Sequence, residues 1–319
     1  MQFNYIALLR KMIYIFFLFV LAIFIFITSD FASSKKTNTS KKGDIVSIKP
    51  DDNSKLGFSV RIEHVAFNVP EPVSSVNWYT KNLGMKIMRK GAPPTYTYFI
   101  ADSGEHIMME LFHNINFVSL NLPELSFMAF HFAFMVKDVE KIKDKLLDAG
   151  ATLAQNISTT PTGDKVLMLR DPWGLPIQFV QRVQPLINCT DIRPEHVAFN
   201  VPDSRAKAKW FVENLGMKII RESGAPNFGL FMTDPTGNMM IELYQNIDYP
   251  MLDFHNLSYN AMHLAFMVKN LSAVKKKLLA NGASFEVEET TQAGDKVLML
   301  RDPWGQPIQF IERANPMLK

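Results

Sequence analysis

The sequence is written twice. Residues Ile62 to Asn114 open IEHVAFNVPEPVSSVNWYTKNLGMKIM and close HIMMELFHN, and Pro194 to Asn246 repeat them as PEHVAFNVPDSRAKAKWFVENLGMKII and NMMIELYQN. A second pair follows: KVLMLRDPWGLPIQFVQR from Lys165 returns as KVLMLRDPWGQPIQFIER from Lys296. Whatever architecture one copy adopts the other must adopt too, and a fixed offset shows which polar residues stand in equivalent places. His64 and His196 lie 132 residues apart, as do Glu110 and Glu242, and His131 and His263. Gln178 and Gln309 lie 131 apart, which one deletion between His263 and Asp295 explains.

A chain of 319 residues with 47% apolar content can bury two cores. The repeat places domains over 58–186 and 190–315, with the junction near Gln184 to Pro194. The single cysteine, Cys189, falls in that junction, so a disulfide framework and a cysteine-rich zinc site are both excluded. Of 34 Lys and Arg, eight lie up to Lys55, leaving 26; of 31 Asp and Glu, four lie there, leaving 27. The folded part is therefore near neutral and has no basic run, which argues against a nucleic-acid partner.

Arg10 and Lys11 precede an apolar run from Met12 to Thr28, followed by small or polar residues at Ser29 to Ser34. That order reads as a signal peptide or an N-terminal membrane anchor over residues 1–32. Either would engage the membrane or the export machinery and place the rest of the chain outside the cytoplasm, periplasmic, extracellular or membrane-anchored. Residues 33–57, rich in Lys, Ser, Thr and Asp, lack apolar periodicity and read as a polar linker.

Strict alternation from Ile62 to Val69 predicts a strand with Val65, Phe67 and Val69 on one face and Ile62, His64, Ala66 and Asn68 on the other. A helix follows Pro70 and stops at Gly84, which suits a left-handed cap. Short strands near Lys86, Tyr96 to Ala101 and His106 to Phe112 complete a βαβββ unit. A second unit begins at Phe130, with a helix over Val139 to Ala149 and strands near Thr152 to Ser158, Lys165 to Leu169 and Pro176 to Gln181. The predicted class is α+β, four βαβββ modules in two domains, with curved mixed sheets cupping a cavity. Asp171-Pro172-Trp173-Gly174 and its repeat at Asp302 are turn chemistry.

The same alternation turns His64, Glu110, His131 and Gln178 away from the bulky apolar faces that a helix would cover, so that they can converge on a concave side. His196, Glu242, His263 and Gln309 repeat the set. A carboxylate among Met and aromatic side chains needs a cation to offset its desolvation. A divalent metal held by two imidazoles and that carboxylate meets the need, and alanines beside the histidines leave room for it. The competing explanation is histidines satisfied by hydrogen bonds and glutamates lining a wet groove. His106, His113 and His255 have no histidine counterpart and read as surface residues.

On HVAFNVP with WYTKNLGM, the MMEL strand, HFAFMVKD and LRDPWGLPIQFV, the chain resembles the vicinal oxygen chelate superfamily of glyoxalases, bleomycin-resistance proteins and extradiol dioxygenases. The resemblance implies paired modules around a divalent metal (Zn, Ni, Mn or Fe) that chelates adjacent oxygens of a small-molecule substrate. The implied ligands are His64, Glu110, His131 and Gln178, and His196, Glu242, His263 and Gln309. Gln178 and Gln309 stand where the family often has a glutamate acting as ligand and base, a role an amide cannot fill.

Three functions follow. One is a metal-dependent lyase or isomerase with Glu110 and Glu242 as catalytic bases; the others are an extradiol-type dioxygenase and a non-catalytic binder of a hydrophobic small molecule. Export would separate the chain from glutathione and coenzyme A thioesters. Modules could close a site within each half or exchange partners across the halves; pairing within each half is the expectation.

Overall fold

The computed structural model describes residues 56–187 and 192–319. The expected signal or anchor segment, most of the polar linker, and Cys189 lie outside the described residues. Among the described residues no helix is long and apolar enough to cross a membrane.

Four βαβββ modules are present. The first is β1 (Val60–Asn68), α1 (Pro72–Leu83), β2 (Lys86–Lys90), β3 (Tyr98–Ala101) and β4 (Met108–Phe112). The second is β5 (Phe130–Met135), α2 (Val139–Asp148), β6 (Thr152–Thr159), β7 (Lys165–Arg170) and β8 (Pro176–Gln181). The third is β9 (Arg193–Asn200), α3 (Ser204–Leu215), β10 (Lys218–Glu222), β11 (Leu230–Thr233) and β12 (Met240–Tyr244). The fourth is β13 (Met262–Val268), α4 (Leu271–Ala280), β14 (Ser284–Thr290), β15 (Lys296–Arg301) and β16 (Pro307–Glu312). Asp138, Asp203 and Asn270 cap α2, α3 and α4 by accepting from a backbone N–H three residues on. Gly84 ends α1 at φ 70°, the left-handed cap its sequence calls for.

The modules join as two eight-stranded sheets, β14-β15-β16-β13-β1-β4-β3-β2 and β10-β11-β12-β9-β5-β8-β7-β6. This corrects the expected pairing: the first module shares its sheet with the fourth, and the second with the third. Within each half the two modules instead dock through their helices and turns. Trp78 Nε1 donates to Ala149 O at 2.8 Å, Lys145 Nζ to Asn82 O at 2.7 Å, and Tyr79 Oη to Asp171 at 2.9 Å. The other half repeats the arrangement with Trp210 Nε1 on Asn281 O at 2.7 Å and a buried Lys207–Asp302 ion pair at 2.7 Å. With the first two modules held this way, β1 meets β13 of the fourth. Alternation reports which face of a strand is buried, not which strand lies beside it.

The apolar faces form one core drawn from all four modules. Phe67, Phe130, Phe132, Phe134 and Phe179 are all within 1% of full burial. Phe67 meets Phe130 and Phe132 edge-on at 5.7 and 6.3 Å between ring centroids, tying β1 to β5 across the two sheets. Ile62 departs from the expected face and joins this core, because β1 bulges between Ile62 and His64.

Candidate metal centres

The four central strands of each sheet carry the repeated polar set. In one sheet, β16, β13, β1 and β4 bring Gln309, His263, His64 and Glu110 side by side; in the other, β8, β5, β9 and β12 do the same for Gln178, His131, His196 and Glu242. All eight candidate residues therefore converge, in two groups of four, but each group draws on both halves of the sequence. Register explains the convergence. Ala66 faces His263 on one neighbour and Glu110 on the other, and Ala265 faces His64 and Gln309. Ala198 and Ala133 hold the same places in the second sheet. These four alanines have 0% exposure and form a floor with no side chain to fill the space between the polar groups.

His64 Nε2 lies 3.1 Å and His263 Nε2 3.6 Å from the same Glu110 oxygen. His196 and His131 lie 3.2 and 3.6 Å from one oxygen of Glu242. Among the described residues these are the groups of three or more His, Cys, Asp or Glu whose ligand atoms fall within 4.8 Å of one another. The other ring nitrogen of each histidine is committed. His263 Nδ1 bonds Tyr259 O at 2.8 Å and His131 Nδ1 bonds Phe127 O at 2.9 Å; a carbonyl only accepts, so Nδ1 is the donor, and Nε2 is the nitrogen turned towards the glutamate. His64 and His196 direct Nδ1 to the carboxylates of Glu63 and Glu195 at 2.9 and 2.8 Å.

Nε2 of His64, His131 and His196 is buried without a hydrogen-bond partner. At each centre these atoms lie close to the glutamate carboxylate of their own group. Burial opposes charge on Glu110 and Glu242, but the two imidazoles beside each outweigh it and hold both carboxyls well below the usual range. Two imidazoles, a carboxylate and an amide suit a borderline divalent cation, so the residues present fit a metal.

Sequence reasoning missed Glu63 and Glu195. Adjacent residues normally face opposite sides of a strand, but each glutamate is the extra residue of a bulge, which places it beside the histidine that follows. Each also begins a buried ion-pair chain. Arg313 grips Glu63 through two bonds of 2.8 and 2.6 Å and reaches Asp295 at 2.8 Å, and Arg89 meets Asp295 at 2.8 Å. In the other sheet Arg182 grips Glu195 at 2.8 and 2.7 Å and Asp164 at 3.0 Å, with Arg221 at 3.4 Å from Asp164. All four positions recur at the repeat offset, and that was the signal available. The chains also bind the two modules of each sheet together, since Glu63 and Arg89 belong to the first module and Arg313 and Asp295 to the fourth.

At the second centre a cavity of about 260 Å³ opens onto His131, Glu242 and Gln178, walled by Phe127, Met168 and Tyr244 with Gln155 and Asn227. Tyr244 Oη is fixed by donation to Met128 O at 2.7 Å. At the first centre Gln309 Nε2 stands 3.2 Å from His263 Nε2, within reach to donate to it. His106 bonds Asp102 at 2.9 Å and His113 bonds Val69 O at 3.0 Å, away from either centre. Asp171 and Asp302 accept from the backbone N–H groups of their own turns, as expected of turn residues.

Paired βαβββ modules with a His, Glu, His, Gln set on each sheet form a scaffold with one candidate metal centre per sheet. The chain belongs to the glyoxalase/bleomycin resistance protein/dioxygenase superfamily, whose model matches residues 61–179 and again 193–310. It is 26% identical over 176 residues to a lactoylglutathione lyase of Arabidopsis thaliana, a match covering 53% of this chain and 59% of that relative's length. It is 27% identical over 128 residues to lactoylglutathione lyase of Escherichia coli O157:H7, covering 38% of this chain and 93% of the relative. In fold it resembles glyoxalase I of Zea mays, with TM-score 0.65 at 19% identity over 82% of this chain and 95% of that one.

Proposed function

We propose that the chain is a metal-dependent lyase or isomerase of the glyoxalase type, acting outside the cytoplasm on a small molecule with two adjacent oxygens. The observation that carries the reading is the twofold presence of two imidazole Nε2 atoms and one carboxylate oxygen within 4.8 Å of one another, beside paired buried alanines. Relatives described as lactoylglutathione lyases support the reaction class. The N-terminal basic and apolar order supports export. A cavity of about 260 Å³ suits a small substrate.

His64, Glu110, His263 and Gln309 would hold one divalent ion, and His196, Glu242, His131 and Gln178 the other. Bound there, the ion would polarise a carbonyl oxygen and acidify the neighbouring carbon. Glu110 and Glu242 are the groups of each set that can take that proton and return it, because the glutamine amide has no basic lone pair at neutral pH. Gln178 and Gln309 offer an amide N–H to an oxygen that gains charge. Phe127, Met168 and Tyr244 exclude water from one side of the cavity.

The test loads the full chain with Zn, Ni, Mn or Fe(II) and follows deuterium exchange into hydroxyketones and hemithioacetals by NMR. Metal-dependent exchange, lost in the Glu110→Gln, Glu242→Gln double variant, is the expected result. Tight metal binding with no exchange across the panel overturns it. Two imidazoles and one carboxylate also match a non-haem iron oxygenase set, and oxygen uptake with catechols under Fe(II) would establish that chemistry instead.

A further inference from the structure

The loops after β2 and β10 are conformational copies of each other with different contents. Gly91 N donates to Thr97 O at 2.6 Å as Ser223 N does to Gly229 O at 2.8 Å, and Tyr96 and Phe228 both adopt φ 44°. In the third module the ring of Phe228 is covered by the module's own Arg205. Its guanidinium lies 4.1 Å from the ring centroid and 3.7 Å from Glu222. In the first module the repeat offset puts Val73 in place of Arg205, Lys90 in place of Glu222, and Tyr96 in place of Phe228. The side chain that closes the groove is missing, and the charge on its rim is reversed.

What remains is an open groove of about 590 Å³ lined by Val73, Lys90, Gly91, Tyr96 and Tyr98. Val73 and Tyr96 stay 42% and 39% exposed. The Lys90 ammonium stands 5.9 Å from the Tyr98 ring centroid, and among the described residues no carboxylate pairs with it. We infer that this groove binds a planar carboxylate, an aryl or conjugated acid, whose flat face takes the place that the Arg205 guanidinium occupies over Phe228 and whose charge meets Lys90. The reasoning is complementarity: the third module shows that a flat charged group fits against this ring, and the substitution of Lys90 for Glu222 changes the required sign. None of the candidate metal ligands lines this groove.

Saturation-transfer NMR on the full chain, stripped of metal by chelator, tests it with benzoate, benzamidine and cyclohexanecarboxylate as probes. Wild type is expected to transfer saturation to benzoate at millimolar concentration, and at least fivefold less to benzamidine and to cyclohexanecarboxylate. The Val73→Arg, Lys90→Glu variant installs the plug of the third module and is expected to reduce the benzoate signal at least fivefold, as is Lys90→Ala. Both positions are exposed, and a melting curve that matches wild type confirms the fold. Benzoate transfer that is absent in wild type, unchanged in the plugged variant, or equalled by benzamidine overturns the inference.

Discussion

Glu63→Gln isolates the contribution of a buried carboxylate to a neighbouring metal ligand. Glu63 is fully buried, accepts from His64 Nδ1 at 2.9 Å, and takes two bonds from Arg313. Burial works against its charge, but the contacts with His64 and Arg313 prevail and keep the carboxyl below its usual range. Replacing it with an amide removes the anion that fixes the His64 ring and favours its proton on Nδ1. Loss of such a partner lowers metal affinity by roughly 10–100-fold, or about 1.4–2.7 kcal/mol. The same change strands the Arg313 guanidinium, whose side chain is 2% exposed. Because Arg313 keeps Asp295, the cost to folding sits near the lower end of the range for a broken buried pair, about 3 kcal/mol. Metal-free protein titrated against a chromophoric chelator reads the first effect, and urea unfolding the second. The Glu195 centre serves as an internal control, so the titration should become biphasic with one site at wild-type affinity. Two equal sites in Glu63→Gln would refute the assigned role.

Asp171 gives a pH signature: burial raises its carboxyl from 3.8 to about 6. The folded chain then holds a proton that the unfolded chain releases, so stability is fully present below about pH 4 and falls as pH rises through about 6, by about 3 kcal/mol at most. Asp171→Asn should flatten that slope in urea midpoints measured between pH 4 and 7. Lys207→Ser leaves the buried Asp302 carboxylate unpaired and should cost roughly 3–5 kcal/mol in chemical denaturation. The first half solves the same problem with Ser75 and a Tyr79 hydroxyl on Asp171, so adding Phe211→Tyr to Lys207→Ser should restore part of the loss.

Strand faces were legible because a half-buried strand must alternate, and the duplication removed most accidental polar residues by requiring each to appear twice. His64, Glu110, His131 and Gln178, with their counterparts, followed from those two constraints alone. Glu63 and Glu195 did not, since a bulge breaks the period on which the reading depends, and Ile62 changed face for the same reason. Partner choice between modules was also hidden. The residues that meet across each sheet, such as Glu63 with Arg313, have identical counterparts in the other copy, so either pairing satisfies the same contacts. Within each half the modules pack through Trp78, Tyr79, Lys145 and their equivalents, and strand patterns carry no trace of that packing.

The central claim is that each centre is assembled across the halves, His64 and Glu110 with His263, and His196 and Glu242 with His131. Metal content of chelator-washed protein, measured on two double variants, tests it. Glu110→Gln with His263→Ala damages one centre and should leave about one tightly held divalent ion per chain, whereas Glu110→Gln with His131→Ala damages both and should leave almost none. The reverse pattern, one ion retained in the second variant and none in the first, would show that each half closes its own site.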